Sequence, residues 1–246
     1  MTKEKIAFIV VRYGKDINGG AEYHCRMLAE RLVNDYDVEV LTTCVKNYVT
    51  GDNEYPEGEE ILNGVLVRRF YSDPVEPDLH KSYVRQAAPA KKWRHFLYRC
   101  RLLKPLSYVK PIWHYKEQEE IKALNSQVFY SSSMYAFIRE NKASYRAFIP
   151  LSFFPHTALY APEKTILIPT MHNNGSSFRS IITSVFSEVA YIGFNIEAEQ
   201  KLVENIVGKP LAAHGIISVG IEKTKAADWE QTKVKYNLPE DYLLYV

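Results

Sequence analysis

The first 43 residues restrict the fold more than any other part of the chain, because a strand, a turn, a helix and a second strand follow one another there. Residues 5–11 (KIAFIVV) form a continuous apolar run rich in β-branched side chains, which is typical of a strand buried on both faces of a parallel sheet. Residues 21–33 repeat apolar side chains at helical spacing, and residues 37–43 (DVEVLTT) form the next strand. This order predicts an α/β fold with a doubly wound, mostly parallel, Rossmann-like sheet.

The remainder of the chain continues this alternation, apart from one long stretch. Strands are predicted at residues 64–71, 147–154, 165–169, 189–194, 216–219 and 242–246, and helices at residues 196–207 and 228–236. Residues 73–145 are expected to form a basic helical insertion, broken into pieces by Pro105 and Pro111. We therefore assign residues 1–222 to one Rossmann-like domain, and residues 223–246 to a linker and the first strand of a truncated second domain.

The composition is that of a soluble globular protein with reduced cysteines. The chain has 246 residues, of which 46% are hydrophobic and 24% charged. No apolar stretch approaches the roughly 18 residues of a membrane span, and the first apolar run is too short for a signal peptide. Three widely spaced cysteines argue against a disulfide framework or a zinc site. These features predict a cytoplasmic protein without a metal site.

A glycine pair, Gly19-Gly20, follows the first strand and precedes the first helix. Glycines at such a junction let the backbone approach a ligand closely, and the unpaired N–H groups at the start of a helix suit a phosphate. The spacing matches neither the dinucleotide-binding fingerprint nor a P-loop, which argues against an NAD-dependent enzyme or an NTPase. A simple tight turn is the alternative explanation of the pair.

Several segments resemble, in the right order, the sequences of glycosyltransferase family 4, whose members are retaining enzymes of the GT-B fold. The opening KIAFIVVRYGKDINGGAEYHCRMLAERL, followed by VEVLTT, resembles the start of the family. TILIPTMH resembles the strand that ends in the family's active-site histidine, and YIGFNIEAEQKLV resembles its next strand and helix. IISVGIE resembles the strand that ends in a Gly-x-Asp/Glu turn, and KYNLPEDYLLYV resembles the lead into the second domain. Residues 73–145 match weakly.

The resemblance implies that this chain is the amino-terminal half of a glycosyltransferase that moves a sugar, with retention, from a nucleotide-sugar donor to a glycan or lipid-linked acceptor. It implies a role in cell-surface polysaccharide or glycoconjugate synthesis, and it implies no cofactor. His172 would contact the donor sugar near the reacting centre, while Gly19, Gly20, Glu22 and Asn173 would bind the donor phosphates or the acceptor. The chain alone is expected to be inactive, since the donor would lie mainly on the missing half. The alternative for His172 is an exposed loop histidine.

Five further polar residues have weaker or simpler interpretations. His24 is expected to face solvent or the domain surface, Asn195 to cap the helix that follows it, and Glu199 to be a solvated helix residue. His156 is a weaker candidate for the site. Glu222 ends a turn that either points towards the ligand crevice or is a plain turn.

Residues 79–113 contain nine Lys and Arg but no Asp or Glu, and aromatic residues are interleaved with them. This pattern suits an anionic membrane surface at the inner face of the membrane, or an acidic or pyrophosphate-bearing acceptor. The residues expected to dock there are Lys91, Lys92, Trp93, Arg94, Arg99 and Arg101. A solvated helical insertion is an equally weighted interpretation, and no nucleic-acid-binding module accompanies the charge. A stand-alone α/β binding or scaffold domain that docks through this segment is the alternative function.

Overall fold

The computed structural model describes residues 3–151, 155–220 and 228–241, with the backbone alone for residues 110, 111 and 155–157. The strands are β1 (Lys5–Ile9), β2 (Asp37–Thr43), β3 (Gly58–Leu62), β4 (Val65–Phe70), β5 (Ala147–Pro150), β6 (Ile166–Leu167), β7 (Tyr191–Phe194) and β8 (His214–Ile216). The α-helices are α1 (Gly20–Leu32), α2 (Pro77–Arg99), α3 (Leu103–Leu106), α4 (Lys110–His114), α5 (Glu117–Asn125), α6 (Ser132–Asn141), α7 (Ile181–Glu188), α8 (Glu197–Val207) and α9 (Trp229–Tyr236). Single-turn helices occupy Lys142–Ser144, Pro155–Tyr160, Pro162–Lys164 and Gly175–Phe178.

The first sheet has five strands in the order β3-β4-β2-β1-β5, and every pairing except that of β3 with β4 is parallel. β1 lies between two parallel neighbours, so both of its edges are hydrogen-bonded. Ile6 and Phe8 belong to a buried cluster on one face of the sheet, and Ala7 and Ile9 belong to a buried cluster on the other. Because both faces are buried, every residue of β1 after Lys5 is apolar.

Helices cover both faces of this sheet. On one face, α1 packs Cys25 and Ala29 against β1 and its neighbours. On the other face, α6 contributes Met134, Tyr135 and Ile138 to a second cluster of buried side chains. The prediction of a doubly wound, mostly parallel α/β sheet is therefore confirmed.

The second sheet is parallel and has the order β6-β7-β8. It continues the first sheet through two isolated parallel bridges, which pair Phe148 with Thr165 and Leu151 with Ile168. Its core is formed by side chains of β6 and β7 together with those of α2, α7 and α8. The joined sheets bring the carboxyl ends of the parallel strands to one edge, where the candidate site lies.

β3, which precedes the strand predicted at residues 64–71, is not among the predicted strands. The chain forms a hairpin there, with β3 antiparallel to β4 and a two-residue turn of Asn63 and Gly64 between them. Both turn residues have positive φ, at 50° and 84°, as a type I′ turn requires. The Asn-Gly pair between two strands is a sequence signal that would have found this hairpin.

The segment that was expected to form broken helical pieces begins with one uninterrupted helix. α2 has 23 residues and runs through Pro89, which lies exposed on its surface. The shorter helices α3, α4, α5 and α6, after residue 102, match the expected pieces. α2 packs most closely against α5, and Leu97 of α2 belongs to the core of the second sheet.

Some predicted features lie outside the described residues or shift in their bounds. The predicted strand at 242–246 and the turn that carries Glu222 lie outside the described residues. The apolar run 147–154 forms a strand only as far as Pro150 within the described part. Among the described helices, none combines the length and the apolar character needed to cross a membrane.

Candidate functional site

An open crevice lies at the edge where the parallel strands end. It is lined by the start of α1, by the loop that follows β6 and by the start of α8. Four of the predicted site residues, namely Gly20, Glu22, His172 and Asn173, lie together in its walls. The position agrees with the rule that ligands of open α/β sheets bind beyond the carboxyl ends of the strands.

The two glycines before α1 have different structural explanations. Gly20 faces open space, since a side chain placed there would meet no atom within 4 Å. Gly19 does not line the crevice, and a Cβ at Gly19 would overlap the carboxylate of Glu22, which folds back over the first turn. Gly19 therefore makes room for Glu22, whereas Gly20 leaves the backbone accessible to a ligand.

Glu22 belongs to a polar network on the α1 wall. Arg12, directly after β1, donates to Glu22 Oε1 from Nε at 3.0 Å and from Nη2 at 2.7 Å. The guanidinium of Arg12 also lies 3.7 Å from the ring centre of Tyr48. Burial raises the pKa of Tyr48, and the charge of Glu22 raises it further, so the phenol stays neutral. Arg12 is not among the predicted site residues, although its place after a buried apolar run was a signal.

Glu199 corrects the expectation of a solvated helix residue. Its side chain is buried, and its Oε1 accepts the backbone N–H of Met171 at 2.5 Å. Its Oε2 accepts the backbone N–H of Asn195 at 2.8 Å. Glu199 thus ties the loop after β6 to the loop after β7, and it fixes one wall of the crevice.

Asn195 does not cap α8. The N-cap residue is Ile196, with extended backbone and no side-chain cap, and Glu199 bonds the N–H of Asn195 from within the first turn. The carboxamide Oδ1 of Asn195 is buried and has no hydrogen-bond partner among the described residues. Since Asn195 lines the crevice, this oxygen is an acceptor available to a bound donor group.

His172 is exposed in the crevice wall, and its backbone rather than its ring is held in place. Its carbonyl accepts the N–H of Asn174 at 2.8 Å and also the hydroxyl of Ser177. Thr170, two residues earlier, has a positive φ of 47°, which is an outlier for a β-branched residue. Strained backbone of this kind tends to occur at functional sites, where the surrounding structure maintains it.

The expectation that His24 faces solvent is wrong. His24 is 5% exposed and lines the crevice beside the start of α1. Burial lowers the pKa of His24, which keeps its imidazole neutral at pH 7. The apolar stripe of α1 continues at Leu28, one turn after His24, so this histidine lies at the edge of the buried face.

The predicted docking residues of α2 do not line the crevice, and they differ among themselves. Lys92, Trp93, Arg99 and Arg101 are exposed, and Lys91 is half-buried. Arg94 is 0% exposed, which contradicts its assignment to a docking surface. It contributes instead to a buried ion pair.

The remaining candidates give no further site. The side chain of His156, like the whole of Glu222, lies outside the described residues. Cys25 and Cys44 are buried free thiols, and Cys100 is an exposed one. Within the described part of the chain, no three His, Cys, Asp or Glu residues are grouped so as to hold a metal ion.

The crevice offers mainly hydrogen-bonding groups to a ligand. Acceptors come from the carboxylate of Glu22 and the carboxamide oxygen of Asn195, while His172 supplies a ring that can donate or accept. The start of α1 adds backbone N–H groups and the positive end of a helix dipole. This set suits a ligand rich in hydroxyl groups with an anionic group at one end.

Comparisons with known proteins give little beyond the fold. No protein-family model matches the chain, and no curated protein matches it. Among solved structures, α,α-trehalose 6-phosphate synthase from Burkholderia multivorans resembles it with 11% sequence identity and a TM-score of 0.44. That similarity covers 90% of this chain and 50% of the synthase, so this chain spans about half the length of the structure it resembles. A likeness at this level does not establish a function.

Proposed function

We propose that this chain is the acceptor-side half of a GT-B glycosyltransferase and that its crevice binds the sugar-containing part of the substrates. The observation that carries the proposal is the meeting of three sequence segments in one crevice. The segments that begin with β1, β6 and β7 are those that resemble glycosyltransferase family 4, and they are far apart along the chain. Each of them contributes polar groups to the crevice walls.

The polar groups divide between hydroxyl and phosphate recognition. A phosphate beside the carboxylate of Glu22 would meet a like charge, which is unfavourable. We therefore place an acceptor hydroxyl at Glu22, and we place a donor phosphate at the open backbone of Gly20. His172 then orients the donor sugar by hydrogen bonding, with Asn173 beside it.

The proposed reaction relies on positioning and electrostatic stabilisation. Backbone N–H groups at the start of α1 would stabilise the negative charge that develops on the leaving phosphate. The second half of the enzyme would hold the donor nucleotide and close the crevice against water. In this proposal the transfer proceeds with retention, to a glycan or lipid-linked acceptor, and the 246-residue chain alone does not turn over.

The test is a transfer assay with the whole protein encoded by the gene. A panel of UDP-, GDP-, ADP- and dTDP-sugars is supplied with glycan and lipid-linked acceptors, and sugar incorporation is measured. We expect His172→Ala to lower turnover by about 100-fold or more, since it removes a group that acts on the reacting sugar. His214→Ala, at an exposed histidine outside the crevice, is the matched control and should retain full turnover.

Three outcomes would overturn parts of this proposal. Full turnover by His172→Ala, with an unchanged melting temperature, would remove His172 from the mechanism. Absence of sugar transfer by the whole wild-type protein with every donor would argue against a glycosyltransferase. Transfer by the 246-residue chain alone would show that the donor site lies within it.

A second candidate function rests on the exposed aromatic and basic residues of α2. The rings of Trp93 and Phe96 stack with their centroids 5.8 Å apart, and about half of each side chain is exposed. Arg99 and Arg101 are exposed beyond them. We propose that this surface docks the chain on an anionic membrane, where the rings lie at headgroup level and each cation adds about 1 kcal/mol.

Vesicle flotation tests the membrane proposal. Wild-type protein should float with phosphatidylserine-containing vesicles but not with pure phosphatidylcholine vesicles. The double variant Arg99→Gln/Arg101→Gln should lose most of this binding, whereas Lys15→Gln, at an exposed lysine outside the segment, should not. Equal flotation of the double variant and the wild type would contradict the proposal.

A further inference from the structure

A cluster of charged side chains lies between α2, α5 and the chain segment that follows His172. At its centre, Nη1 of Arg94 donates to Glu120 Oε1 at 2.8 Å and to Oε2 at 3.0 Å. Nη1 also donates to the backbone carbonyl of Phe178 at 2.9 Å. Nε and Nη2 donate to backbone carbonyls of residues 112, 113 and 115. Both side chains of this ion pair are buried, with exposures of 0% for Arg94 and 2% for Glu120.

The Glu120 carboxylate is already committed to its partners. Besides Arg94, it accepts the backbone N–H of Ser180 at Oε2, at 2.7 Å. Because a carboxylate beside a buried guanidinium and a buried N–H is fully engaged, Glu120 can neutralise little further charge.

Two more cations lie at this cluster. Lys91 is one turn before Arg94 on α2, and its side chain lies against the loop at Gly175. A Cβ built on Gly175 would be in ordinary van der Waals contact with Nζ of Lys91. Arg179 lies between Phe178 and Ser180, the residues that bond to Arg94 and Glu120. Both side chains are half-buried.

Neither additional cation has a hydrogen-bond or ion-pair partner among the described residues. Within the described part of the chain, no hydrogen bond or ion pair reaches the ammonium of Lys91 or the guanidinium of Arg179. Burial lowers the pKa of both groups. The negative charge of Glu120 acts in the opposite direction on each pKa, but that carboxylate is already engaged. Half-buried cations without a counter-charge are unfavourable, so the arrangement leaves a place for an anion.

We propose that Lys91 and Arg179 bind a phosphate group of a ligand. The planar guanidinium can bind two phosphate oxygens at once, and the ammonium supplies a compact charge that can reach a third. A phosphate monoester carries about −1.5 to −2 charge at pH 7, which matches two cations better than a carboxylate does. Arg179 follows His172 by seven residues, so this site lies on the same chain segment as one wall of the crevice.

This site does not depend on the proposed transferase activity, because phosphate binding is measured without any sugar donor. The affinity of the 246-residue chain for inorganic phosphate and for pyrophosphate is measured by calorimetry. Lys91→Gln and Arg179→Gln should each weaken binding about tenfold or more, as expected for the loss of a charged hydrogen bond. Lys92→Gln, at the exposed neighbour on α2, is the matched control and should bind as the wild type does.

Folding of each variant is checked by its thermal transition, and Lys91→Arg supplies a second test. Lys91→Arg keeps the charge and should retain phosphate binding even if Arg179→Gln folds poorly. Equal phosphate affinity in the wild type and in folded Lys91→Gln would overturn the proposal. A loss of phosphate binding in Lys92→Gln as large as that in Lys91→Gln would also overturn the proposal.

The phosphate could belong to a soluble molecule or to a lipid headgroup, and vesicles distinguish the two. The comparison is made in the Arg99→Gln/Arg101→Gln background, so that the membrane surface proposed above does not itself float the protein. If a lipid phosphate is the ligand, that double variant should float with phosphatidylcholine vesicles that contain phosphatidic acid, and the same protein with Lys91→Gln added should not. If a soluble phosphorylated molecule is the ligand, free phosphate should bind while flotation is the same for both proteins. Undiminished binding of phosphate and vesicles by both variants would refute the site.

Discussion

The carboxylate of Glu199, in α8, accepts the backbone N–H of Met171 at 2.5 Å across 28 residues of sequence. Its other oxygen accepts the N–H of Asn195. One buried side chain therefore joins the loops that follow two neighbouring strands. Because His172 is the next residue after Met171, Glu199 also fixes the position of this histidine in the crevice. It does so through the backbone of Met171.

Replacing Glu199 by alanine should destabilise the fold. The change leaves the buried N–H of Met171 and the part-buried N–H of Asn195 without an acceptor. We expect a loss of about 2–4 kcal/mol in the free energy of unfolding, measured by urea denaturation. Glu197→Ala, at an exposed residue of the same helix turn, should cost no more than about 0.5 kcal/mol. Equal losses from the two changes would show that the bonds of Glu199 add no stability.

Breaking the buried pair of Arg94 and Glu120 should be costly. Glu120→Gln or Arg94→Met leaves one buried charge unpaired, and each should lower the free energy of unfolding by about 3–5 kcal/mol. The double variant Arg94→Met/Glu120→Gln should lose less than the sum of the single variants, since no uncompensated charge remains. Arg99→Met, at an exposed position of the same helix, is the control and should change stability little; strictly additive losses would contradict the pairing.

His24 should make stability depend on pH in the acidic range. The pKa of His24 is lowered by burial from its ordinary value of 6.5, so on acidification the unfolded chain takes up a proton before the folded chain does. The free energy of unfolding should therefore fall as pH is lowered below about 6.5, and His24→Gln should remove that part of the decrease. Urea denaturation between about pH 5 and 8 measures it.

His214→Gln, at an exposed histidine, is the control for the pH experiment, and its profile should follow the wild type. If His24→Gln and the wild type lose stability in parallel below pH 6.5, burial of His24 is not the cause.

Gly208 and Gly64 should separate the cost of backbone conformation from the cost of crowding. Both have positive φ, at 68° and 84°, but a Cβ at Gly208 would overlap the hydroxyl of Ser107, whereas at Gly64 it would meet no atom within 4 Å. Gly64→Ala should cost about 1–2 kcal/mol for conformation alone. Gly208→Ala should cost about 1–3 kcal/mol more, because α3 must move away from the end of α8. Equal costs in urea denaturation would show that α3 yields freely.

The sequence predicted those parts of the fold in which one local pattern suffices. The apolar run of β1 and the helical stripe of α1 are such patterns. Another is the glycine pair between them, where Gly20 leaves the backbone accessible. His172 was placed correctly in the crevice because the carboxyl end of a parallel strand determines the side on which the following residue lies.

The errors concern side chains whose partners are distant in sequence. Glu199 and Arg94 are charged residues on helices, and such residues are mostly exposed. Only the fold brings Met171 to Glu199 and Glu120 to Arg94, and these partners make the burial of each charge possible. Arg179 was not singled out for the same reason, since its significance comes from Lys91, which approaches it from another helix.

The two walls of the crevice stand on different sheets, and those sheets meet at the pairs Phe148–Thr165 and Leu151–Ile168. The distance across the crevice between Gly20 and His172 therefore depends on how these two pairs join the sheets. A substitution that disturbs either pair would shift one wall against the other while each wall kept its own hydrogen bonds.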